Sequence, residues 1–219
     1  MRVIAGEAKG FHLKGPPGPG TRPMADKIKG ALFSMLTSLG VAPERVLDLY
    51  AGTGSIGIEA LSRGADWADF VEQNAAAAAV VRANLAHTKF AAAAQVHQTA
   101  VLTFLHQAER RRPTIPAYDL VILDPPYADP QIVPTLERIG RSPLVQSRTV
   151  VAIGHSPRVT LPEQAGDLTR LRHRCHGDSC VSIYEVPENE DSASSASTVR
   201  DPSSPAPGEA TTVESRTSQ

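Results

Sequence analysis

The sequence has only two cysteines, Cys175 and Cys180, which are too few for a disulfide framework and leave the redox compartment open. It also lacks any run of the roughly 18 to 20 apolar residues that a membrane-spanning helix needs. Its opening residues, M-R-V-I-A-G-E-A-K-G, contain no apolar segment of the kind found in a signal peptide. We therefore predict a cytoplasmic protein that has no membrane partner.

The end of the chain, residues 188–219, lacks aromatic residues and has almost no aliphatic ones. It cannot bury enough apolar surface to offset its ordering entropy, so we predict a disordered, acidic, Ser- and Pro-rich tail. Six acids against two arginines in this tail leave residues 1–187 with a net charge of +3, although the whole chain carries −1. A mildly basic body suits an RNA partner.

Basic residues are concentrated in two places. A run of three arginines at 110–112 is equally consistent with phosphate binding and with a solvated helix end. The other cluster lies within the first thirty positions, and it also suits phosphate binding. It consists of Arg2, Lys9, Lys14, Arg22, Lys27 and Lys29.

Short apolar runs alternate with helix-like segments along residues 1–187, which indicates an α/β domain with a doubly wound, mostly parallel, Rossmann-like sheet. The predicted strands cover residues 46–50, 69–72, 94–97, 119–124 and 149–154. The predicted helices cover residues 26–36, 55–64, 75–87, 101–112 and 132–141. A hairpin that turns at Gly177 and Asp178 predicts that the sheet ends in an antiparallel strand.

A glycine-rich turn, D-L-Y-A-G-T-G-S-I-G at residues 48–57, follows the first predicted strand. Gly52 and Gly54 allow a tight turn and the close approach of a ligand, and the next helix would point free N–H groups at it. Glu72 follows twenty residues after Gly52, where a carboxylate can accept hydrogen bonds from ribose hydroxyls of an adenosine-type cofactor. Asp48 favours S-adenosylmethionine over NAD, because an acid there suits an ammonium group and would repel a pyrophosphate.

The second candidate site is V-I-L-D-P-P-Y at residues 121–127, at the carboxyl end of the fourth predicted strand and so on the same sheet edge. Pro125 and Pro126 have no N–H group, so together with the Asp124 carboxylate they form a cluster of acceptors. An exocyclic nucleobase amine fits, because its two N–H bonds can point at Asp124 and the Pro125 carbonyl. These acceptors favour the positive charge that develops as the amine attacks a methyl sulfonium. Tyr127 would stack on the base, which would have to flip out of any duplex.

The segments D-L-Y-A-G-T-G-S-I-G-I-E-A-L-S-R-G-A, F-V-E-Q-N, D-P-P-Y and R-P-M-A-D together resemble the RsmD-type methyltransferases, and the resemblance spans residues 1 to about 186. That family methylates guanine N2 in bacterial 16S ribosomal RNA with S-adenosylmethionine. The resemblance implies that residues 1–40 contact RNA and cofactor, and that the catalytic residues are Asp124, Pro125, Pro126 and Tyr127. The cofactor residues that it implies are Arg22, Asp48, Ala51, Gly52, Thr53, Gly54, Glu72, Gln73, Thr99 and Asp124.

Some positions depart from the family's usual residues, which bears on substrate choice and rate; they are Met24, Gly30, Thr99 and His176. Three alternatives remain open: a methylase of another DNA or RNA amine, a weakened RNA-binding or ribosome-assembly factor, and an NAD-dependent oxidoreductase. The last would leave D-P-P-Y without a task.

We predict a monomer whose partner is ribosomal RNA or a small-subunit particle, and we predict no metal. A zinc site built from the histidines and cysteines of the last hairpin would straddle its turn without C-x-x-C pairs; the residues concerned are His173, Cys175, His176 and Cys180.

Overall fold

The computed structural model describes residues 1–15, 26–110, 116–126 and 129–188, and residues 1–188 form one compact unit. The helices are α1 (Asp26–Ser38), α2 (Ser55–Ser62), α3 (Ala75–His87), α4 (Val101–Arg110) and α5 (Ile132–Gly140). The strands are β1 (Arg45–Leu49), β2 (Trp67–Val71), β3 (Ala94–His97), β4 (Leu120–Leu123), β5 (Val150–His155), β6 (Gln164–Ala165), β7 (Leu168–His176) and β8 (Ser179–Glu185).

Several predictions from the sequence fall on residues outside this description. They concern Arg22, Met24, Tyr127, the arginines at 111 and 112, and the tail beyond Glu188. Within the described ranges, none of the helices has the length and apolar character to cross a membrane.

All eight strands form one sheet in the order β3-β2-β1-β4-β5-β8-β7-β6. Strands β1 to β5 run parallel, and β8 lies antiparallel to β5. β7 pairs antiparallel with β8 across the predicted turn, and β6 pairs antiparallel with the start of β7. The predicted parallel sheet with an antiparallel end is therefore confirmed, and the two-residue β6 is an addition to it.

Helices cover both faces of the parallel part. One apolar cluster joins α1, α2 and α3 to the sheet through residues such as Leu32, Ile58 and Phe70. The other joins α4 and α5 to the opposite face through residues such as Leu105 and Leu136. The central strands β4 and β5 are buried along their whole length, and their sequences are accordingly apolar runs rather than alternating ones.

Local signals define where two helices begin. The Asn74 side chain accepts a hydrogen bond from Ala77 N at 3.0 Å, which caps the start of α3. Pro134 is the third residue of α5, where a backbone N–H would have no partner inside the helix.

The first fifteen residues fold back on themselves and lie against α2. Val3 N donates to Phe11 O at 3.0 Å, and Glu7 N donates to Ser62 O at 2.7 Å. Gly6 adopts a φ of +81°, and a Cβ atom there would lie 1.6 Å from the carbonyl oxygen of Ser62. Only glycine fits this approach, which fixes the N-terminal segment beside the helix that follows the glycine-rich turn.

β1 and β4 are neighbours in the sheet, but β2 and β3 lie beyond β1 on one side, whereas β5 lies beyond β4 on the other. The strand order therefore reverses between β1 and β4. In open α/β sheets, the carboxyl ends of strands at such a reversal flank the ligand-binding crevice. The glycine-rich turn follows β1, and Asp124 follows β4. The fold thus brings the two predicted sites to one place.

Candidate active site

A tight turn joins β1 to α2 at the carboxyl edge of the sheet. Tyr50, Gly52 and Gly54 adopt left-handed backbone conformations with φ of 61°, 57° and 76°. Glycine tolerates these values, whereas Tyr50 holds a conformation that is costly for a residue with a side chain. Ala51 N donates to Val71 O at 3.0 Å, and Ala51 O accepts from Gly54 N at 2.7 Å, so the turn is tied to β2. No residue pattern signals the strained Tyr50, and sequence analysis missed it.

Gly57, the third glycine of the motif, lies in the first turn of α2. A Cβ atom at this position would lie 2.4 Å from Cε1 of Phe70 and 3.0 Å from Oδ2 of Asp48. The missing side chain therefore lets α2 pack directly on β1 and β2. This approach also brings the Gly57 N–H within 2.9 Å of the Asp48 carboxylate.

Asp48 is a buried carboxylate with an incomplete set of partners. Its Oδ2 accepts the Gly57 N–H, whereas its buried Oδ1 has no hydrogen-bond partner within the described part of the chain. Burial raises the pKa of Asp48 to about 8, and the charges of Asp124 and Glu72 act in the same direction against the opposing Gly57 hydrogen bond. A buried oxygen without a partner is unfavourable unless a ligand donor reaches it. The site therefore fits a cationic donor such as an ammonium group.

Glu72 follows β2 and is held by two backbone N–H groups. Its Oε2 accepts from Gly52 N at 2.9 Å, and its Oε1 accepts from Asn74 N at 2.7 Å. Each carboxylate oxygen keeps further acceptor capacity, so a ligand with hydroxyl groups can still bind. Gln73 is exposed, and the half-buried Thr99 donates its backbone N–H to Glu72 O at 3.1 Å. These predicted residues lie together beside the glycine-rich turn.

Asp124 begins the second predicted site directly after β4. Its backbone N–H points at Leu49 O at 3.4 Å, which places it beside the end of β1. Asp124 is half-buried, Pro125 is buried and Pro126 is exposed. The Pro126 carbonyl accepts from Asp129 N at 2.9 Å, which closes the loop before α5. The Asp124 charge adds to the rise in the pKa of Asp48, so the two carboxylates are close enough to interact.

Asn84 is a further residue of the site that sequence analysis missed. It is fully buried in α3, and its Nδ2 donates to Thr53 O at 2.9 Å and to Lys14 O at 3.2 Å. Its Oδ1 accepts from Lys14 N at 2.8 Å. Asn84 therefore ties the N-terminal segment to the buried Thr53 of the turn. An amide within an otherwise alanine-rich helix was the available signal.

One predicted RNA-contacting residue has a different place. Lys29 in α1 is fully buried, and its Nζ lies 3.5 Å from Oε2 of Glu59 and donates to Arg2 O at 2.8 Å. Burial lowers the pKa of Lys29, and the Glu59 carboxylate partly offsets this effect. The expectation that Lys29 belongs to a phosphate-binding cluster was wrong, because its charge is used inside the fold.

The same glutamate holds the start of the chain. Ile4 N and Ala5 N donate to the Glu59 carboxylate at 2.7 and 3.0 Å. Arg63 Nε adds a third bond at 2.8 Å. Glu59 therefore links α1, α2 and the N-terminal segment, which are the elements around the glycine-rich turn.

A cavity of about 400 Å³ lies elsewhere, beside α4 and the outer strands β2 and β3. Its lining includes Trp67, Asp69, Phe104 and Tyr118. None of the predicted site residues lines this cavity. This cavity is therefore separate from the candidate active site.

The histidines and cysteines of the last hairpin are divided between two faces. Cys175 and Cys180 are joined by a disulfide bond, and His173 lies on the same face as both. His176 pairs with Ser179 and projects to the other face. The prediction that these residues bind no metal stays a prediction.

The family model described as "Conserved hypothetical protein 95" matches residues 1–185 of this chain. The chain belongs to the RsmD-type methyltransferase family. The YlbH protein of Bacillus subtilis (strain 168) is 36% identical over 185 residues, which cover 84% of this chain and 98% of that one. Ribosomal RNA small subunit methyltransferase D of Escherichia coli (strain K12) is 27% identical and covers 84% of this chain and 89% of its own length.

A solved structure has the same fold. A hypothetical protein from Thermus thermophilus is 27% identical, has a TM-score of 0.72, and covers 85% of this chain and 99% of its own. As a member of the RsmD-type family, the chain is a methyltransferase that uses S-adenosylmethionine. The choice of this cofactor over NAD, made from Asp48, is thereby confirmed.

Proposed function

We propose that this chain methylates guanine N2 in small-subunit ribosomal RNA. The observation that carries the proposal is the unpartnered Oδ1 of Asp48 at the end of β1, next to Asp124 and Pro125 at the end of β4. The Escherichia coli relative is named for methylation of the same class of RNA. A cation-binding acid and a loop of acceptors on adjacent strands suit the two reactants of an amine methylation.

The first carboxylate and the turn would hold the cofactor. When bound, S-adenosylmethionine supplies a methyl group on a positively charged sulfonium. Oδ1 of Asp48 would accept from its ammonium group, and Glu72 would accept from its ribose hydroxyls. Thr99 would contact the adenine. The remaining proposed contacts are Arg22, Ala51, Gly52, Thr53, Gly54, Gln73 and Asp124.

The loop after β4 would bind the target amine. The Asp124 carboxylate and the Pro125 carbonyl would accept its two N–H bonds, while the Pro126 carbonyl is engaged with Asp129. Two aligned acceptors orient the nitrogen lone pair and stabilise the positive charge that develops on it. Tyr127 would stack on the base.

The N-terminal segment would guide the RNA, as part of the proposed contact by residues 1–40. Arg2, Lys9 and Lys14 are exposed, and Asn84 holds this segment against the turn. Lys14 lies closest to the catalytic edge, because Asn84 joins its backbone to Thr53 of the turn, and exposed cations on this segment suit a phosphate backbone. We also propose that the protein is a monomer that acts in the cytoplasm on free RNA or on a small-subunit particle.

The test is transfer of labelled methyl from S-adenosylmethionine to small-subunit ribosomal RNA, both free and in particles, followed by nucleoside analysis. We expect the label in N2-methylguanosine. Label in another nucleoside would contradict the proposed base, and absence of label despite cofactor binding would contradict the proposed substrate.

The Asp124→Ala variant tests the role of the loop. Methyl transfer should fall by about 10²- to 10³-fold, because the variant loses an aligned acceptor for the developing charge. Although Asp124 is also a proposed cofactor contact, the contacts of Asp48 and Glu72 remain, so binding of S-adenosylhomocysteine, measured by calorimetry, should weaken far less than the rate. Asp167→Ala, which removes an exposed acid between β6 and β7, serves as the control and should retain activity. Normal turnover of Asp124→Ala would show that the mechanism is wrong.

A further inference from the structure

The tip of the β7–β8 hairpin carries a disulfide bond that the proposed methyl transfer does not use. Cys175 and Cys180 lie directly opposite each other, with their Cα atoms 3.9 Å apart. Cys175 is exposed, whereas Cys180 is fully buried and pairs with His155 at the end of β5. The hairpin tip therefore lies at the carboxyl edge of the sheet, the edge on which Asp124 also lies.

A chain of hydrogen bonds leads from the interior to the exposed sulfur. Nδ1 of His155 lies 3.0 Å from Ser156 O, and Nε2 of the same ring lies 3.0 Å from Oγ of Ser182. That hydroxyl also lies 3.0 Å from Nδ1 of His173. Nε2 of His173 lies 3.3 Å from Sγ of Cys175. Each ring thus has both nitrogens in contact with a polar atom.

The partners determine which nitrogen carries each proton. A carbonyl only accepts, so Nδ1 of His155 donates to it, and Nε2 of this buried ring must accept from the Ser182 hydroxyl. Burial lowers the pKa of His155, and the neighbouring His173 adds to the effect, which favours the neutral ring. The Ser182 oxygen is then left to accept from Nδ1–H of His173. The lone pair of His173 Nε2 consequently faces Cys175.

A lone pair at this position is suited to take a proton from a thiol. An imidazole beside a cysteine lowers the pKa of the thiol and increases the share of the nucleophilic thiolate. External reagents can reach Cys175, because β6 pairs only with the first two residues of β7, Leu168 and Thr169. Cys180 has neither this exposure nor a described histidine contact at its sulfur.

We propose that Cys175 and Cys180 form a reversible thiol–disulfide pair in which His173 activates Cys175 as the attacking thiol. In the reduced chain, His173 takes the Cys175 proton, and the thiolate attacks one sulfur of a small-molecule disulfide RSSR and releases RS⁻. Cys180 then attacks the Cys175 sulfur of the mixed disulfide and releases the second RS⁻. Two protein thiols are oxidised, one RSSR is reduced to two RSH, and the two thiol protons end on the released thiols.

A metal site is the competing use of the same atoms. His173, Cys175 and Cys180 each offer one ligand atom, and these atoms lie within 4.8 Å of one another. Within the described residues this set has only three members, and the disulfide bond engages both sulfurs. The structure therefore favours the redox pair, and zinc binding becomes an outcome of the test.

The experiment uses the full reduced chain and glutathione disulfide, followed by intact mass. We expect the parent chain to lose two hydrogen masses as the internal disulfide forms. Cys180→Ser should stop at one glutathione adduct on Cys175, and Cys175→Ser should react far more slowly at its buried thiol. Faster reaction at Cys180 than at Cys175 would overturn the proposal.

The role of His173 is tested in the Cys180→Ser background. At pH 7, His173→Gln should slow adduct formation by about tenfold, the change expected when a thiol loses a basic partner. His176→Gln, on the opposite face of the same strand, should leave the rate unchanged. Among the described residues, the titratable groups that face Cys175 in this background are His173 on β7 and His155 on β5. At pH 10, where the thiol ionises unaided, the His173→Gln and parent rates should converge.

Equal rates at pH 7 would overturn the assignment of His173, and a rate difference that persists at pH 10 would indicate structural damage and also overturn it. One equivalent of Zn²⁺ that binds the reduced parent chain and blocks the adduct would replace the redox pair with a metal site. These readouts need no methyl acceptor, so they stand or fall independently of the proposed methylation.

Discussion

Two buried carboxylates on neighbouring strands have opposite surroundings. Asp69 on β2 accepts hydrogen bonds from Trp67 Nε1 at 2.7 Å and the Tyr118 hydroxyl at 2.9 Å, and contacts His97 Nε2 at 2.7 Å. Burial alone would raise the pKa of Asp69, but these three partners lower it below its ordinary value. Asp48 on β1 has one described partner, and its pKa is raised to about 8.

The difference separates a structural acid from an acid that is prepared for a ligand. Both residues are nearly inaccessible, so burial does not distinguish them. What distinguishes them is hydrogen-bond satisfaction, since Asp69 is stabilised as a carboxylate inside the protein while one Asp48 oxygen awaits a donor from outside. Asp69 pairs with Leu47 in the register of β1 and β2, and Asp48 pairs with Phe70. Because neighbouring residues of a strand project to opposite faces of the sheet, the two acids lie on opposite faces.

The Asp69→Ala substitution would break the structural half of this comparison. It leaves the buried Tyr118 hydroxyl and the half-buried Trp67 N–H without their acceptor, so the free energy of unfolding should fall by roughly 3 to 5 kcal/mol. Urea unfolding monitored by circular dichroism measures the loss. Asp66→Asn, at an exposed acid just before β2, is the control and should change stability little. An equally small loss for Asp69→Ala would contradict the structural role.

The Asp48→Asn substitution would break the ligand-binding half. The amide can still accept the Gly57 N–H, so stability at pH 7 should not fall. Affinity for S-adenosylhomocysteine, which has the same ammonium group as the cofactor, should fall about 10- to 100-fold on loss of a charge-assisted hydrogen bond. Calorimetry gives the dissociation constant. Unchanged affinity would show that the unpartnered oxygen of Asp48 does not face the ligand.

The Gly57→Ala substitution would sharpen the comparison from the packing side. The new Cβ would collide with the Phe70 ring and press on Asp48, so the free energy of unfolding should fall by about 1 to 3 kcal/mol. Gly30→Ala is a matched control in α1, where a Cβ meets only Cδ1 of Ile4 at 3.8 Å. That control should stabilise the chain by roughly 0.5 to 1 kcal/mol. The contrast fails if both changes have the same sign.

The sequence predicted those parts of the molecule that depend on local pattern. The predicted strand at 94–97 coincides with β3, and the predicted helix at 75–87 coincides with α3. The glycine-rich turn and the D-P-P-Y segment were placed on one edge because the carboxyl ends of parallel strands meet there. β6 was missed because two residues are too few for an alternating pattern.

Contacts between distant parts of the chain were beyond prediction. Lys29 reads as a surface cation, yet it pairs with Glu59 thirty positions later. Asn84 reads as one polar residue of an alanine-rich helix, yet it bonds the backbone of Lys14 seventy positions earlier. The difference between Asp48 and Asp69 was equally unpredictable, because it depends on hydrogen-bond donors from other strands and helices. Residue type alone does not carry this information.

The pH dependence of stability and of ligand affinity tests the comparison of Asp48 with Asp69 through smaller effects. Without ligand, the folded chain holds the Asp48 proton more tightly than the unfolded chain does, so this contribution to stability is full below about pH 4 and is lost as pH rises to about 8. Asp69 acts in the opposite sense, since its lowered pKa gives stability that is present above its unfolded pKa and lost in acid.

An ammonium ligand favours the ionised Asp48, so binding should release protons, and affinity should rise between about pH 6 and 8. Calorimetry in buffers of different ionisation enthalpy counts the protons. Asp48→Asn should abolish this release, and a parent chain that releases none would show that Asp48 is already ionised in the free protein.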